Sequence, residues 1–214
     1  MIQGDSTEYN LLEKWISKMA TPAEMWDNQE GATGEIAPDW KPISVEIGVR
    51  EGLGSKTIMD SFRKLFHGKH KDKITKQYKH IGIDPYGNLK YQHYDTSPAY
   101  TADYTEEMRL QLEKDFLIYP EFKLYHMTDI EFMKRYPDLN NVSLVHFDGP
   151  HKTADVIAEA VWFAQRTSTC ARFIFDDYPK YNMQLISDCL KPFGFKVLEQ
   201  GRNKICLEKQ NTSR

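Results

Sequence analysis

Three cysteines, Cys170, Cys189 and Cys206, stand far apart and make no C-x-x-C pair. That scarcity argues against a thiolate zinc site and against a disulfide framework. No apolar run reaches the length of a bilayer crossing. The opening MIQGDSTEYN has neither the basic nor the apolar region of a secretion signal, so the N-x-S/T matches at Asn141 and Asn211 carry little weight. Excess charge is missing as well. Lys and Arg number 28 against 31 Asp and Glu, a formal −3, so no global field draws nucleic acid or anionic lipid. Internal repeats and low-complexity segments are absent. These absences leave the expectation of a reduced, cytoplasmic, soluble protein. With 40% hydrophobic and 28% charged residues over 214 positions, the chain has material for a sizeable core.

What is present begins with periodicity. Residues 8–20 place Leu11, Leu12, Trp15, Ile16 and Met19 at helical spacing. A second helix start follows at Thr21, Pro22 and Glu24, and 30–41 reads as a loop. Residues 1–42 are therefore expected to form an N-terminal helical cap. From Ile43 the pattern alternates. Strands are predicted over 43–49, 80–84, 122–127, 142–147, 172–176, 195–200 and 203–209, with helices near 54–66, 104–117, 129–136, 153–167 (Thr153 as cap) and 181–191. Such alternation implies parallel strands joined by right-handed crossovers. Only Gly201-Arg202 separates the last two strands, so they must pair as a hairpin. The expected fold is α/β: a Rossmann-like, mostly parallel seven-stranded sheet flanked by helices, ending in an antiparallel β-hairpin, one globular unit over 43–214.

The first strand runs into VEIGVREGLGS, with Glu46, Gly48, Gly52 and Gly54 between strand and helix. Missing Cβ atoms let a ligand approach such a turn, and the next helix offers free N–H groups. The spacing is not the dinucleotide G-x-G-x-x-G, which opposes a nicotinamide oxidoreductase. It resembles E/D-x-G-x-x-x-G-x-G, the first motif of class I S-adenosylmethionine-dependent methyltransferases. The second strand ends HIGIDPYG, putting Asp84 at the crevice. The resemblance implies S-adenosylmethionine as cofactor, Asp84 as its ribose ligand, Tyr86 near the adenine, and Thr128 or Asp129 beside it.

Two further strands end in carboxylates. SLVHFDGPHKT delivers Asp148, with His151 three residues on, and RFIFDDY delivers Asp176 and Asp177. Ligands in open α/β sheets sit at these carboxyl ends. Three carboxylates together repel one another unless a hard cation intervenes, and all-oxygen ligation favours Mg2+, Mn2+ or Ca2+. Adjacent strand residues point to opposite faces, so Asp176 and Asp177 can share an ion only if the chain turns between them. His151 offers a base that titrates near neutrality.

The pattern resembles the metal-dependent O-methyltransferases, and its Asp-Gly-x-His and Asp-Asp-Tyr matches are similar to the macrolide- and sugar-modifying group. Pro150 stands where such enzymes carry a second acid. The resemblance implies metal ligation by Asp148, Asp176 and Asp177, with His151 taking the proton from a hydroxylated small molecule such as a sugar. A metal-independent methyltransferase and a non-catalytic adenosyl-binding module are the competing readings; a homo-oligomer is left open. Residues 86–104, rich in tyrosine and holding His93, read as a loop that closes over the acceptor together with the N-terminal helices. The Lys-rich tract 67–79 reads as a solvated surface insertion.

Overall fold

The computed structural model describes residues 7–19, 41–66 and 78–210. The helix start at Thr21, most of the 30–41 loop, most of the Lys-rich 67–79 tract and Asn211 lie outside them. Five parallel strands form the centre of the sheet: β1 (Ile43–Ile47), β2 (Lys79–Ile83), β5 (Phe122–Tyr125), β6 (Val142–Phe147) and β7 (Thr167–Phe175). A short hairpin, β3 (Lys90–Gln92) and β4 (Ala99–Thr101), stands apart. Two last strands, β8 (Phe195–Gln200) and β9 (Ile205–Lys209), complete a seven-stranded sheet of order β5-β2-β1-β6-β7-β9-β8. β9 runs antiparallel to both its neighbours, between β7 and β8. The helices are α1 (Tyr9–Ser17), α2 (Leu53–Leu65), α3 (Glu106–Asp115), α4 (Asp129–Arg135), α5 (Thr153–Ala164) and α6 (Met183–Leu190). Among the described residues, no helix is long and apolar enough to cross a membrane. The expected α/β architecture with its terminal hairpin is therefore observed.

Each face of the sheet has its own core. Val45, Ile47, Phe147, Phe173 and Phe175 pack with Val156, Phe163 and Ile186 on one face, where Phe147 and Phe175 stack at 4.5 Å. On the other, Leu144, Ile174 and Cys206 meet Leu12, Trp15 and Ile16 of α1 and Ile58 and Phe62 of α2. All six residues of β6 are buried, the signature of a strand covered on both faces. α1 realises the predicted stripe, burying Leu12, Trp15 and Ile16.

Two boundaries depart furthest from the sequence reading. The helix predicted over 153–167 stops at Ala164, and β7 begins at Thr167, well before Arg172. Cys170 takes a positive φ of 59° there, a break in the strand that apolar periodicity does not report. Thr153 is the first helical residue rather than the cap. Asp95, from the β3–β4 loop, accepts from its N–H at 3.2 Å and its hydroxyl at 2.5 Å, supplying from outside the bond that a cap would make.

Arg172 fastens α1 to the sheet. Its Nε donates to Glu208 at 2.7 Å, while its two terminal nitrogens reach the carbonyls of Trp15 and, at 2.9 Å, Lys18. Glu8 then closes the turn before β9, accepting from the N–H groups of Arg202, Asn203 and Lys204 at 2.9, 2.7 and 3.1 Å. Arg172→Ala strips a buried guanidinium from a half-buried carboxylate and two carbonyls. The expected loss is about 3 kcal/mol in urea denaturation, with amide exchange accelerating in α1 before the sheet. A change below about 0.5 kcal/mol, the size of an ordinary surface substitution, would contradict this role.

Candidate active site

The carboxyl ends of β1, β2, β6 and β7 converge on one crevice. At the end of β1 the glycines fit against protein. Gly48 has a φ of +83°, and a Cβ there would lie 2.1 Å from the carbonyl oxygen of Asp148. A Cβ on Gly54 would lie 1.9 Å from Glu46 Oε1, and one on Gly52 would strike Leu112 and Phe116. The turn is compact because β6, α3 and Glu46 press on it.

Glu46 is buried, and both carboxylate oxygens are engaged: Oε2 accepts from Ser55 Oγ, Oε1 from His146 Nδ1 at 2.9 Å. It belongs to a buried polar row that sequence reasoning missed. One proton assignment satisfies its first half. Tyr78 donates to Ser44 Oγ (2.6 Å), Ser44 to His80 Nδ1 (2.7 Å), His80 Nε2 to Ser55 Oγ (2.9 Å), and Ser55 to Glu46. From the other end, Lys204 Nζ lies 2.8 Å from Asp176 Oδ1 and 3.4 Å from His146 Nε2. The available signal was alternation: Ser44 and Glu46, paired with His80 and His146 across neighbouring strands, share one sheet face.

Asp84 is buried, and its carboxylate accepts from the N–H groups of Val49 (3.0 Å), Arg50 (2.9 Å) and Tyr86 (3.0 Å). It clasps the glycine turn to the end of β2 and keeps one of roughly four lone-pair positions. Tyr86, buried, donates its hydroxyl to the Arg50 carbonyl at 2.6 Å. Thr128 caps α4 in a reciprocal capping box with Glu131, and Asp129 opens that helix. These groups line an apolar cavity of about 250 Å3 with Ile47, Ile83 and Tyr104.

The carboxylates at the other strand ends divide. Asp148 and Asp176 are neighbours, and each affects the other's titration. Burial, then Asp176, pushes the Asp148 carboxyl well up. Burial would also raise Asp176, but the Lys204 ammonium, then His146, outweigh it and hold that group below the usual carboxylate range. Asp177 adopts φ 48° and turns away, accepting from Tyr94 OH at 2.6 Å and lying 4.0 Å from His151 Nδ1. Asp148, Asp176 and Asp177 therefore do not bring three ligand atoms within 4.8 Å of one another. Lys204 already supplies positive charge to the pair, so the expected all-oxygen Mg2+ set does not fit.

His151 is 2% exposed and, among the described residues, neither ring nitrogen has a hydrogen-bond partner. Burial, then His93, pushes its pKa down to about 3. This corrects the expectation of a base titrating near neutrality: desolvation disfavours the imidazolium. His93 follows β3, and its ring lies 4.8 Å from the His151 ring, tilted by 59°. These residues, with Glu46, Arg50, Glu51, Asp148 and Asp176, line a polar cavity of about 170 Å3. Gly48, Tyr104 and Asp148 line both cavities, which therefore adjoin.

No protein-family model matches the chain, and no curated protein does. Among solved structures, CalS11, a calicheamicin methyltransferase, is 13% identical with a TM-score of 0.53, covering 98% of this chain and 96% of its own. SMU.1697c of Streptococcus mutans, assigned as a methyltransferase and crystallised with SAH, is 10% identical with a TM-score of 0.52, over 96% and 99%. An rRNA methylase from Streptococcus thermophilus is 10% identical with a TM-score of 0.51, over 99% of both chains. The likeness at these identities is one of fold, and it spans the chain.

His80, like His151, has its pKa pushed down to about 3, by burial and then by His146. In the unfolded chain both titrate near ~6.5. Between about 3 and 6.5 the unfolded state therefore binds protons that the native state refuses, and stability falls as pH drops through that window. These two groups contribute a slope of up to about 2.7 kcal/mol per pH unit. Urea denaturation from pH 7 downward should register it, and His151→Asn should remove about half. A variant slope equal to the parent's would show that His151 does not stay neutral in the fold.

Proposed function

We propose that this chain is an S-adenosylmethionine-dependent methyltransferase acting on a hydroxyl of a small molecule. The observation that carries this is the pair of adjoining cavities, one apolar and one polar, meeting at Gly48, Tyr104 and Asp148 at the carboxyl ends of the parallel strands, where such sheets bind ligands. The fold shared with methyltransferases, one crystallised with SAH, supports the same reading.

The apolar cavity suits an adenosyl group, with Tyr86, Thr128 and Asp129 about the base and the last lone pair of Asp84 for a ribose hydroxyl. The Gly48–Gly54 turn and the amino end of α2 border the polar cavity and suit the methionyl end. Glu46 acts from beneath, holding the turn's shape through Ser55 and His146. S-adenosylmethionine supplies an electrophilic methyl group on a sulfonium. The acceptor hydroxyl lies in the polar cavity beside Asp148, His151 and Asp177. A carbon–oxygen bond forms as the carbon–sulfur bond breaks, and the hydroxyl proton leaves toward the His151–Asp177 end. Positioning supplies much of the acceleration.

The cavity's size and lining favour a small acceptor. Among the described residues, Arg50 is the one Lys or Arg in its lining, which gives a phosphate backbone little to hold. Calorimetry with S-adenosylhomocysteine should give one site, weakened at least about tenfold by Tyr104→Ala, which deletes a large aromatic wall. Label from the methyl donor should pass to hydroxylated small molecules. His151→Ala, which loosens the wall that positions the acceptor, should cut kcat by about 100-fold while S-adenosylhomocysteine affinity barely moves. Absent binding of S-adenosylhomocysteine would sink the reading. Label found in RNA but in no small molecule would sink the acceptor assignment.

A further inference from the structure

We infer that His93, His151 and Asp177 form a site for one divalent transition metal ion, of the zinc or cobalt class, that fixes the acceptor hydroxyl. One ligand atom from each lies within 4.8 Å of the others, and His151 Nδ1 is 4.0 Å from Asp177 Oδ2. Ligands about 2.1 Å from a shared ion stand roughly 3 to 4 Å apart, so a small inward movement closes the set. His151 is the independent sign of a missing partner. Its ring is buried with both nitrogens unsatisfied, a condition that buried polar atoms rarely tolerate.

Three parts of the chain supply the ligands: the end of β3, the loop after β6 and the turn after β7. They are tied together before any ion arrives. The His151 N–H donates to the His93 carbonyl at 2.7 Å. Tyr91 OH lies 3.3 Å from His93 Nδ1, and Tyr94 OH donates to Asp177 at 2.6 Å. Such outer partners orient metal-binding side chains. Two imidazoles and one carboxylate favour a transition ion over Mg2+ or Ca2+, which prefer oxygen throughout. All three residues border the polar cavity, so the positions left open on the ion face the acceptor. The inference rests on that cavity being the acceptor site. It changes how the hydroxyl loses its proton, through ligation to the ion, and leaves the donor cavity untouched.

The full-length chain, stripped by chelator, is titrated with Zn2+, Co2+ and Mg2+ by calorimetry. One equivalent of Zn2+ or Co2+ should bind at least about 100-fold more tightly than Mg2+, and bound Co2+ should show a visible absorption band. His93→Ala and the near-isosteric Asp177→Asn should each weaken Zn2+ at least about tenfold, with thermal melts confirming that both are folded. Zn2+ binding no better than Mg2+, or parent-like Zn2+ affinity in both variants, would overturn the site. S-adenosylhomocysteine affinity, measured in the same samples, reports on the donor reading separately.

Discussion

The Lys204 ammonium is the contact on which this site depends. A fully buried cation sits 2.8 Å from Asp176 and 3.4 Å from His146, and everything at the strand ends is arranged around it. Removing two charges from water costs several kcal/mol per ion even after relaxation. Here the cost is offset by the pairing itself and by a polar row in which each group answers the next. Through His146 the ammonium reaches Glu46, and through Glu46 and Ser55 the floor of the glycine turn. Through Asp176 it reaches Asp148, whose carbonyl presses against Gly48. The ion pair thus sets the spacing between the turn that faces one cavity and the carboxylates that face the other.

Much of the framework was legible in the sequence because it is written in periodicity. Seven strands, the crossovers and the final hairpin follow from apolar alternation and turn residues, and the structure carries them. Side-chain direction was harder. Asp176 and Asp177 looked like one ligand pair because they end one strand together, yet the backbone turns at Asp177 and sends them to different partners. The chain does turn between them, as a shared ion would require, but the turn delivers Asp177 to Tyr94 instead. Lys204 was invisible because a lysine beside a hairpin turn reads as solvated. His93 was hidden in a stretch whose tyrosines suggested only a loop, whereas β3 and β4 give it a fixed place over His151. Desolvation of His151 could not be read at all, since burial belongs to the assembled fold.

The glycine turn shows how a motif can point to a place for a reason other than the one first given. Its glycines suggested room for a ligand to approach the backbone. At Gly48 and Gly54 that room is filled by Asp148 and Glu46. The missing side chains allow β1 and β6 to end close together, and the two cavities open on either side of the seam. Asp84 behaves similarly: a residue expected to hold a ribose first holds the turn in shape.

The position of β9 has a consequence for how the molecule is made. The strand synthesised last among those described is not at the margin; it is wedged between β7 and β8, with Lys204 at its threshold. Until that segment has left the ribosome, Asp148 and Asp176 lack their counter-charge, and the growing chain holds two acidic groups that cannot be buried together. One segment thus serves two ends: it closes the gap between β7 and β8 and delivers the positive charge that Asp176 requires.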